Sequence, residues 1–350
     1  MSFYAFKTKL ASAIGSFINL DYNLKRRCDR YVFSYHRILT KHEAEKQGVH
    51  SSLWISPEKF KEHIKWMQTI GSIVNFSEMV DDEIKNNRPW FALTFDDGWK
   101  DNFDNALPIL LQNSVPATFF LATDALNTGE LFWPQDIATK SKGVLRNNGC
   151  EKVSIAIQEC WPEQVKWFNS KNQVNMLIIE QWIEFLKTLD EEKRKERIKE
   201  FYYKLGVNAS PLQGYILNWN DAVSMKKYGF NFGSHTHHHT IIKNLSPDRV
   251  KDELRTSKAI IENNLQIEIN TFCYPNGRYN GNEGIYLSEC GYKYACCLNN
   301  RTLKHRKDNF YIPRFLISEN KIANPDYFKL CLLEAPLHRA KVHNPDKDDK

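Results

Sequence analysis

A chain of 350 residues with 42% hydrophobic and 13% aromatic content has the composition of a folded globular protein, long enough for one large α/β domain or two small ones. Its net charge of +6 is mild, with 48 basic residues spread among 42 acidic ones and no basic-and-aromatic pattern, which argues against nucleic acid as a partner. Eight cysteines without a CxxC argue against a thiolate zinc site, and no run approaches the ~18 apolar residues of a spanning helix, so reduced thiols in a cytoplasmic protein are the expectation.

Phe3, Phe6, Leu10, Ile14 and Phe17 recur at helical spacing within an N-terminal extension, residues 1–30. Such a stripe packs on its own domain or, alternatively, lies on a membrane surface, where it would hold the protein peripherally. Tyr31 to Tyr35 reads as a strand, with His36-Arg37 directly after it. Ser56-Pro57 opens a helix that runs through Phe60, Ile64 and Met67 to Gly71. Ser72 to Phe76 reads as a strand, followed by a helix capped by Ser77. Trp90 to Phe95 is an apolar strand that ends in Asp96-Asp97-Gly98. A helical pattern interrupted by Pro108 leads to the strand Ala117 to Leu121, which completes a parallel βαβ unit.

Residues 124–218 break this rhythm and read as a helical insertion, a lid or specificity element. They hold Trp133-Pro134, an apolar helical run from Val174 to Leu189, and a charged stretch with Glu191 and Lys195 at salt-bridge spacing. Four tryptophans, Trp133, Trp161, Trp167 and Trp182, suit a segment that flanks the site mouth and sets substrate choice, the alternative being a helical decoration packed on the outside of the barrel. Alternation resumes at Phe230 to Gly233 and continues through a helix opened by Ser246-Pro247. Strand candidates at Asn270–Tyr274, Ala295–Leu298 and Tyr311–Ile317 follow. About eight strands alternating with helices predict a (β/α) barrel over 31–318, with a polar, partly disordered extension over 319–350.

Two stretches carry chemistry. Adjacent residues on a strand point to opposite faces, so Asp96 and Asp97 can aim at one target only because the strand ends there, with Gly98 permitting the turn. Four of the eleven histidines fall at 235, 237, 238 and 239. Imidazoles at 235 and 239 approach one metal if the chain between them turns as a helix does, with Thr236 bonding the local backbone, and a carboxylate from another strand end would complete a site open to water and substrate. Solvated loop aspartates and an exposed histidine tract are the alternatives for each stretch alone.

Thr94-Phe-Asp-Asp-Gly98 and His235-Thr-x-x-His239 resemble the first two motifs of the polysaccharide deacetylases, the NodB-homology family (carbohydrate esterase family 4). Phe272-Cys-Tyr-Pro-Asn-Gly-Arg-Tyr279 is similar to the third motif in its Tyr-Pro-x-Gly variant, and Ser34-Tyr-His-Arg37 and Ile312-Pro-Arg-Phe315 resemble elements of the same branch. The resemblance implies a distorted (β/α) barrel, one divalent metal ion of the Zn²⁺ type, and removal of an N-acetyl group from a sugar in a polysaccharide or glycoconjugate. It implies Asp96 as general base, Asp97, His235 and His239 as metal ligands, and Tyr274, Pro275, Arg278 and Arg314 on the substrate side, with a backbone N–H near Tyr274 at the oxyanion. The arginine that the family's third motif pairs with its catalytic aspartate is replaced here by Cys273, and Arg278 or Arg314 is left to substitute. The family's late Leu-x-His has only Pro336-Leu-His338 as a counterpart. His36, placed by its strand at the same barrel end as Asp96, is therefore the expected acid or sugar-contacting group. A different acyl group, a lipid-linked sugar, or a non-catalytic carbohydrate-binding protein that keeps the metal site are the readings left open.

Overall fold

The computed structural model describes residues 19–81, 87–147, 149–161, 176–303 and 308–334. The expected N-terminal stripe and the segment around His338 lie outside these residues. The chain divides into two compact units, one drawn from residues 1–38, 51–129 and 216–350, the other from 39–50 and 130–215.

The first unit contains β1 (Arg30–Tyr35), β2 (Arg37–Ile38), β3 (Trp54–Ile55), β4 (Ser72–Ile73), β5 (Trp90–Phe95), β6 (Thr118–Leu121), β7 (Asn231–Ser234), β8 (Thr271–Cys273), β9 (Tyr294–Leu298) and β10 (Ile312–Leu316). Seven of these strands, in the order β1, β5, β6, β7, β8, β9, β10, form a closed parallel barrel whose last strand returns to the first. Strand β4 joins β5 outside the ring, and β2 pairs only with β3. The longest register is that of β1 with β5, six residue pairs from Arg30↔Trp90 to Tyr35↔Phe95.

Strands in such a barrel are buried on both faces, which is why β1 and β5 read as nearly continuous apolar runs. Alternation then sorts the two faces. Tyr31, Phe33 and Tyr35 lie on one, where Tyr35 packs edge-on against Phe60 and Phe33 against His63 of the helix Pro57–Ile70. The other face carries Val32, which clusters with Ala92, Phe120, Cys273, Cys296 and Ile312 from the neighbouring strands. Two residues further along each strand, that inward face turns polar with Ser34, Thr94 and Arg314, all fully buried. Small residues at Ala92, Ser34, Thr94 and Cys273 leave room for the guanidinium of Arg314, which lies 5.6 Å from the centre of the Phe120 ring.

The local sequence explains most helix boundaries. Ser56 caps the helix Pro57–Ile70 through the main-chain N–H of Lys59, and Ser246 caps Pro247–Leu265 through that of Arg249. Two expectations shift. The strand predicted over 72–76 is only β4, and the next helix begins at Phe76 with Asn75, not Ser77, in a capping box with Glu78. As expected, the helical run is interrupted near Pro108: a π-helical turn, Asn102–Ala106, gives way to Leu107–Gln112, with the proline in the first turn of that second segment.

The second unit is helical. It contains Lys41–Gln47, Trp133–Arg146, Cys150–Cys160, Met176–Leu186 and Glu191–Leu205 around a core that includes Ile137, Val153, Ile157, Trp182 and Phe201. Asp136 is buried among them and accepts hydrogen bonds from Tyr202 Oη at 2.6 Å, Lys140 Nζ at 2.7 Å and the main-chain N–H of Leu212 at 2.9 Å. Gln135 and Thr139 both donate to the carbonyl of Gln47, tying residues 39–50 to the rest. Glu191 and Lys195 form the expected pair at 2.7 Å. Trp161 and Trp182, read as part of a segment that flanks the site mouth, form this unit's own core with Phe185. Trp167 lies outside the described residues.

The barrel interior leaves no slack at Gly233. A Cβ there would meet the Phe120 ring at 2.5 Å and Thr271 Oγ1 at 2.6 Å. Gly233→Ala is therefore expected to destabilise the protein by about 1–3 kcal/mol in urea unfolding. An unchanged midpoint would show that Phe120 can swing aside freely.

Candidate active site

Asp96 lies at the C-terminal end of β5, its main-chain N–H bonded to the carbonyl of Tyr35 on β1. Arg314 from β10 grips its carboxylate with two parallel hydrogen bonds, Nη1 to Oδ1 and Nη2 to Oδ2, both 2.7 Å. Ser34 Oγ adds a third to Oδ2 at 3.1 Å. The Arg314 guanidinium also donates to Thr94 Oγ1 at 2.9 Å and approaches Cys273 Sγ at 2.8 Å. Burial opposes ionisation of Asp96, but Arg314 outweighs it and holds the carboxyl at a pKa of about 2. Burial pushes the Cys273 thiol well up, so it stays protonated.

The next residue turns the chain. Asp97 has a left-handed φ of 76° and Gly98 one of 85°, so two adjacent carboxylates face one space although strand geometry alone would separate them. Trp99 Nε1 holds Asp97 Oδ2 at 2.8 Å, and Arg37 stacks over the Trp99 ring while pairing with Asp101. Asp97 Oδ1 is buried and has no hydrogen-bond partner among the described residues. It faces His235 Nε2 at 3.3 Å and His239 Nε2 at 3.1 Å. Ligand atoms placed tetrahedrally at about 2.0–2.1 Å from a zinc ion are separated by about 3.3 Å. The spacing and the unspent carboxylate oxygen therefore fit a divalent ion. His235 Nδ1 bonds the Cys273 carbonyl at 2.8 Å, which fixes the ring with Nε2 turned to that space. Although burial opposes both effects, the imidazoles hold the Asp97 carboxyl well below the usual range, and Asp97 raises His235.

The histidine loop is not the helical turn expected from its spacing. Thr236 and His239 have φ of 65° and 54°, and this pair of left-handed residues folds the loop back so that positions 235 and 239 converge. Thr236 Oγ1 accepts from Thr240 N at 3.1 Å and donates to the carbonyl of His235. His237 and His238 point elsewhere, toward Thr123 and Glu253.

His36 reaches the same end of the barrel. Its Nε2 is 3.9 Å from Asp96 Oδ2, its carbonyl accepts from Asn102 Nδ2 at 2.7 Å, and burial pushes its pKa down. Of the two arginines left to substitute at Cys273, Arg314 meets Asp96; Arg278 is half-buried and makes no ion pair with a described residue. Three residues expected on the substrate side have other surroundings. Arg314 is fully enclosed, and its guanidinium is engaged by Asp96, Thr94 and Cys273. The Tyr274 ring is fully buried and stacked on Tyr311, and Pro275 is buried beside it. The main-chain N–H of Tyr274, expected at the oxyanion, bonds the Cys296 carbonyl in the barrel. Sequence reasoning missed Ser34, Trp99 and Glu253. Ser34 and Trp99 lie within or beside the motifs already singled out, and position alone could have flagged them.

The model of the polysaccharide deacetylase family matches residues 83–152 and 181–295. The Bacillus subtilis (strain 168) protein YxkH, whose own assignment as a polysaccharide deacetylase is provisional, is 31% identical over 75 residues, which is 20% of this chain and only 27% of that relative. Among solved structures, the Streptococcus pyogenes deacetylase PplD in complex with acetate has a TM-score of 0.55 at 17% identity, over 84% of this chain and 94% of that one. IcaB from Ammonifex degensii has a TM-score of 0.54 at 15% identity, over 87% and 98%. At these identities the structural likeness shows the barrel fold.

The Arg314–Asp96 pair sets a measurable cost. Arg314→Met would leave a buried carboxylate unpaired and is expected to lose about 3–5 kcal/mol at neutral pH, with part of it recovered in Arg314→Met/Asp96→Asn. The wild-type pair stabilises the fold above the ordinary Asp value of 3.8, and this contribution is lost as pH falls through about 2. In Arg314→Met, burial is opposed only by the weaker pull of His235 and His36 and raises the carboxyl relative to wild type, so the gap to wild type should narrow on acidification. A gap independent of pH between 3 and 8 in denaturant titrations would refute the coupling.

Proposed function

Because the chain belongs to the polysaccharide deacetylase family, we propose that it is a metal-dependent hydrolase that removes the N-acetyl group from a sugar of a polysaccharide or glycoconjugate. The observation that carries this reading is the convergence of Asp97 Oδ1, His235 Nε2 and His239 Nε2 beside a second carboxylate, Asp96, that is ionised and held by Arg314. A pure metal site has no need of that second carboxylate.

A divalent ion of the Zn²⁺ type held by Asp97, His235 and His239 would supply Lewis acidity toward the amide carbonyl and toward water. Asp96 accepts the proton of the attacking water. Its low pKa keeps it in the receptive form across neutral pH, and the two-pronged grip of Arg314 fixes the direction of its free lone pairs. Arg314 is thus a positioning residue. His36 stands beside the base, whereas a proton donor to the leaving amine belongs on the far side of the scissile bond. Its lowered pKa leaves it neutral in the free protein. Both points support a hydrogen-bonding contact to substrate over a resting acid.

Two measurements test this. With purified protein, metal analysis and acetate release from N-acetylated saccharides should separate the aspartates: Asp97→Asn loses both metal and activity, while Asp96→Asn keeps the metal and loses roughly 10²–10⁴-fold in turnover. Equal metal loss in the two variants, or metal without acetate release from any saccharide tried, would sink the assignment. For His36, His36→Ala should retain metal and raise KM more than it lowers kcat. A pure loss of kcat with an altered basic limb of the pH profile would instead make it the acid.

A further inference from the structure

Two of the four clustered histidines take no part in the site just described, and they meet a carboxylate on another element. His237, His238 and Asp124 each offer one ligand atom within 4.8 Å of the other two. Asp124 lies in the first turn of the helix Thr123–Thr128 and donates its main-chain N–H to the His237 carbonyl at 3.0 Å, which keeps that turn against the histidine loop.

The imidazoles are held as metal-binding imidazoles are held. His237 Nδ1 is 2.8 Å from Thr123 Oγ1, and His238 Nδ1 donates to Glu253 Oε1 at 2.7 Å. In each ring the nitrogen nearer the backbone is engaged by a partner that fixes the ring; Nε2 of His238 is then open to a ligand, as is Nε2 of His237 in the tautomer whose Nδ1–H donates to Thr123 Oγ1. The His238–Glu253 pair is the arrangement in which a carboxylate orients a ligating histidine. Glu253 is itself buried, with only 4% of its surface exposed. Its Oε2 accepts the main-chain N–H groups of both His237 and His238, at 2.8 and 3.0 Å. One enclosed carboxylate therefore sets the positions of both histidines. The two rings lie edge to face with centroids 4.2 Å apart.

We propose that Asp124, His237 and His238 form a second divalent-cation site on the reverse of the loop that carries His235 and His239. Two nitrogens and one carboxylate oxygen suit a borderline first-row ion, Zn²⁺, Ni²⁺ or Cu²⁺, and not the all-oxygen shells of Ca²⁺ or Mg²⁺. His238 is exposed and Asp124 half-buried, so the remaining coordination positions face water and this ion exchanges faster than one bound at Asp97. An ion there also ties the loop to residue 124. It thereby braces a segment in which Thr236 and His239 both carry left-handed backbone.

The test is a Zn²⁺ titration of the full chain by equilibrium dialysis with metal analysis. The wild type should bind a tight and a weaker ion. His237→Gln and Asp124→Asn should each lose the weaker ion and keep the tight one, with unchanged far-UV circular dichroism to show that the fold survives. Asp97→Asn should lose the tight ion and keep the weaker one. A wild type that binds a single ion, or a second ion that persists in both His237→Gln and Asp124→Asn, overturns the proposal. If the weaker ion behaves as expected but Asp97→Asn changes nothing, the second site stands and the assignment of the first falls.

Discussion

The structure turns on a guanidinium enclosed by a barrel. Arg314 reaches the axis from β10 and meets Asp96 at the end of β5, and neither charge has access to water worth the name. Such a pair is costly to bury and costlier to break. The surrounding sequence is arranged around that cost. Residues facing the guanidinium are small or hydroxylated, Thr94 and Ser34 absorb the remaining polar valences, and Phe120 lies beneath it. The Cys273 thiol is small enough to admit the arginine from β10, two strands away around the barrel, and its burial keeps it neutral.

Much of the barrel was readable from local pattern. The strands of a closed parallel sheet are buried twice over, so they announce themselves as apolar runs, and the Ser-Pro helix starts are written in adjacent residues. The residues that meet at Asp97 were legible for the same reason: both motifs are short, and each carries its own chemistry. What could not be read was whatever depends on register. Nothing local distinguishes Arg278 from Arg314 as the partner of Asp96; only the pairing of β10 with β1 decides it. Spacing suggested a helical turn for the histidine loop, because Thr236 and His239 are not glycines and left-handed backbone at such residues leaves no mark in the sequence. The helix Lys41–Gln47 buries little more than Ala44, too weak an apolar face to reveal that it joins residues 130–215.

Charge compensation here also has an order in time. Asp96 and Arg314 are 218 residues apart in the chain. At roughly 5–20 residues per second of synthesis, the carboxylate precedes its counter-ion by about 10–45 s. Over that interval β1, β5 and β6 can exist, but an anion placed at the barrel axis has nothing to neutralise it, and the dry interior cannot yet form around it. The strand that closes the ring is the one that delivers the cation. Sealing the barrel and ordering the Asp96 carboxylate are therefore one event, and a nascent chain that stops short of β10 has neither a finished core nor a paired Asp96.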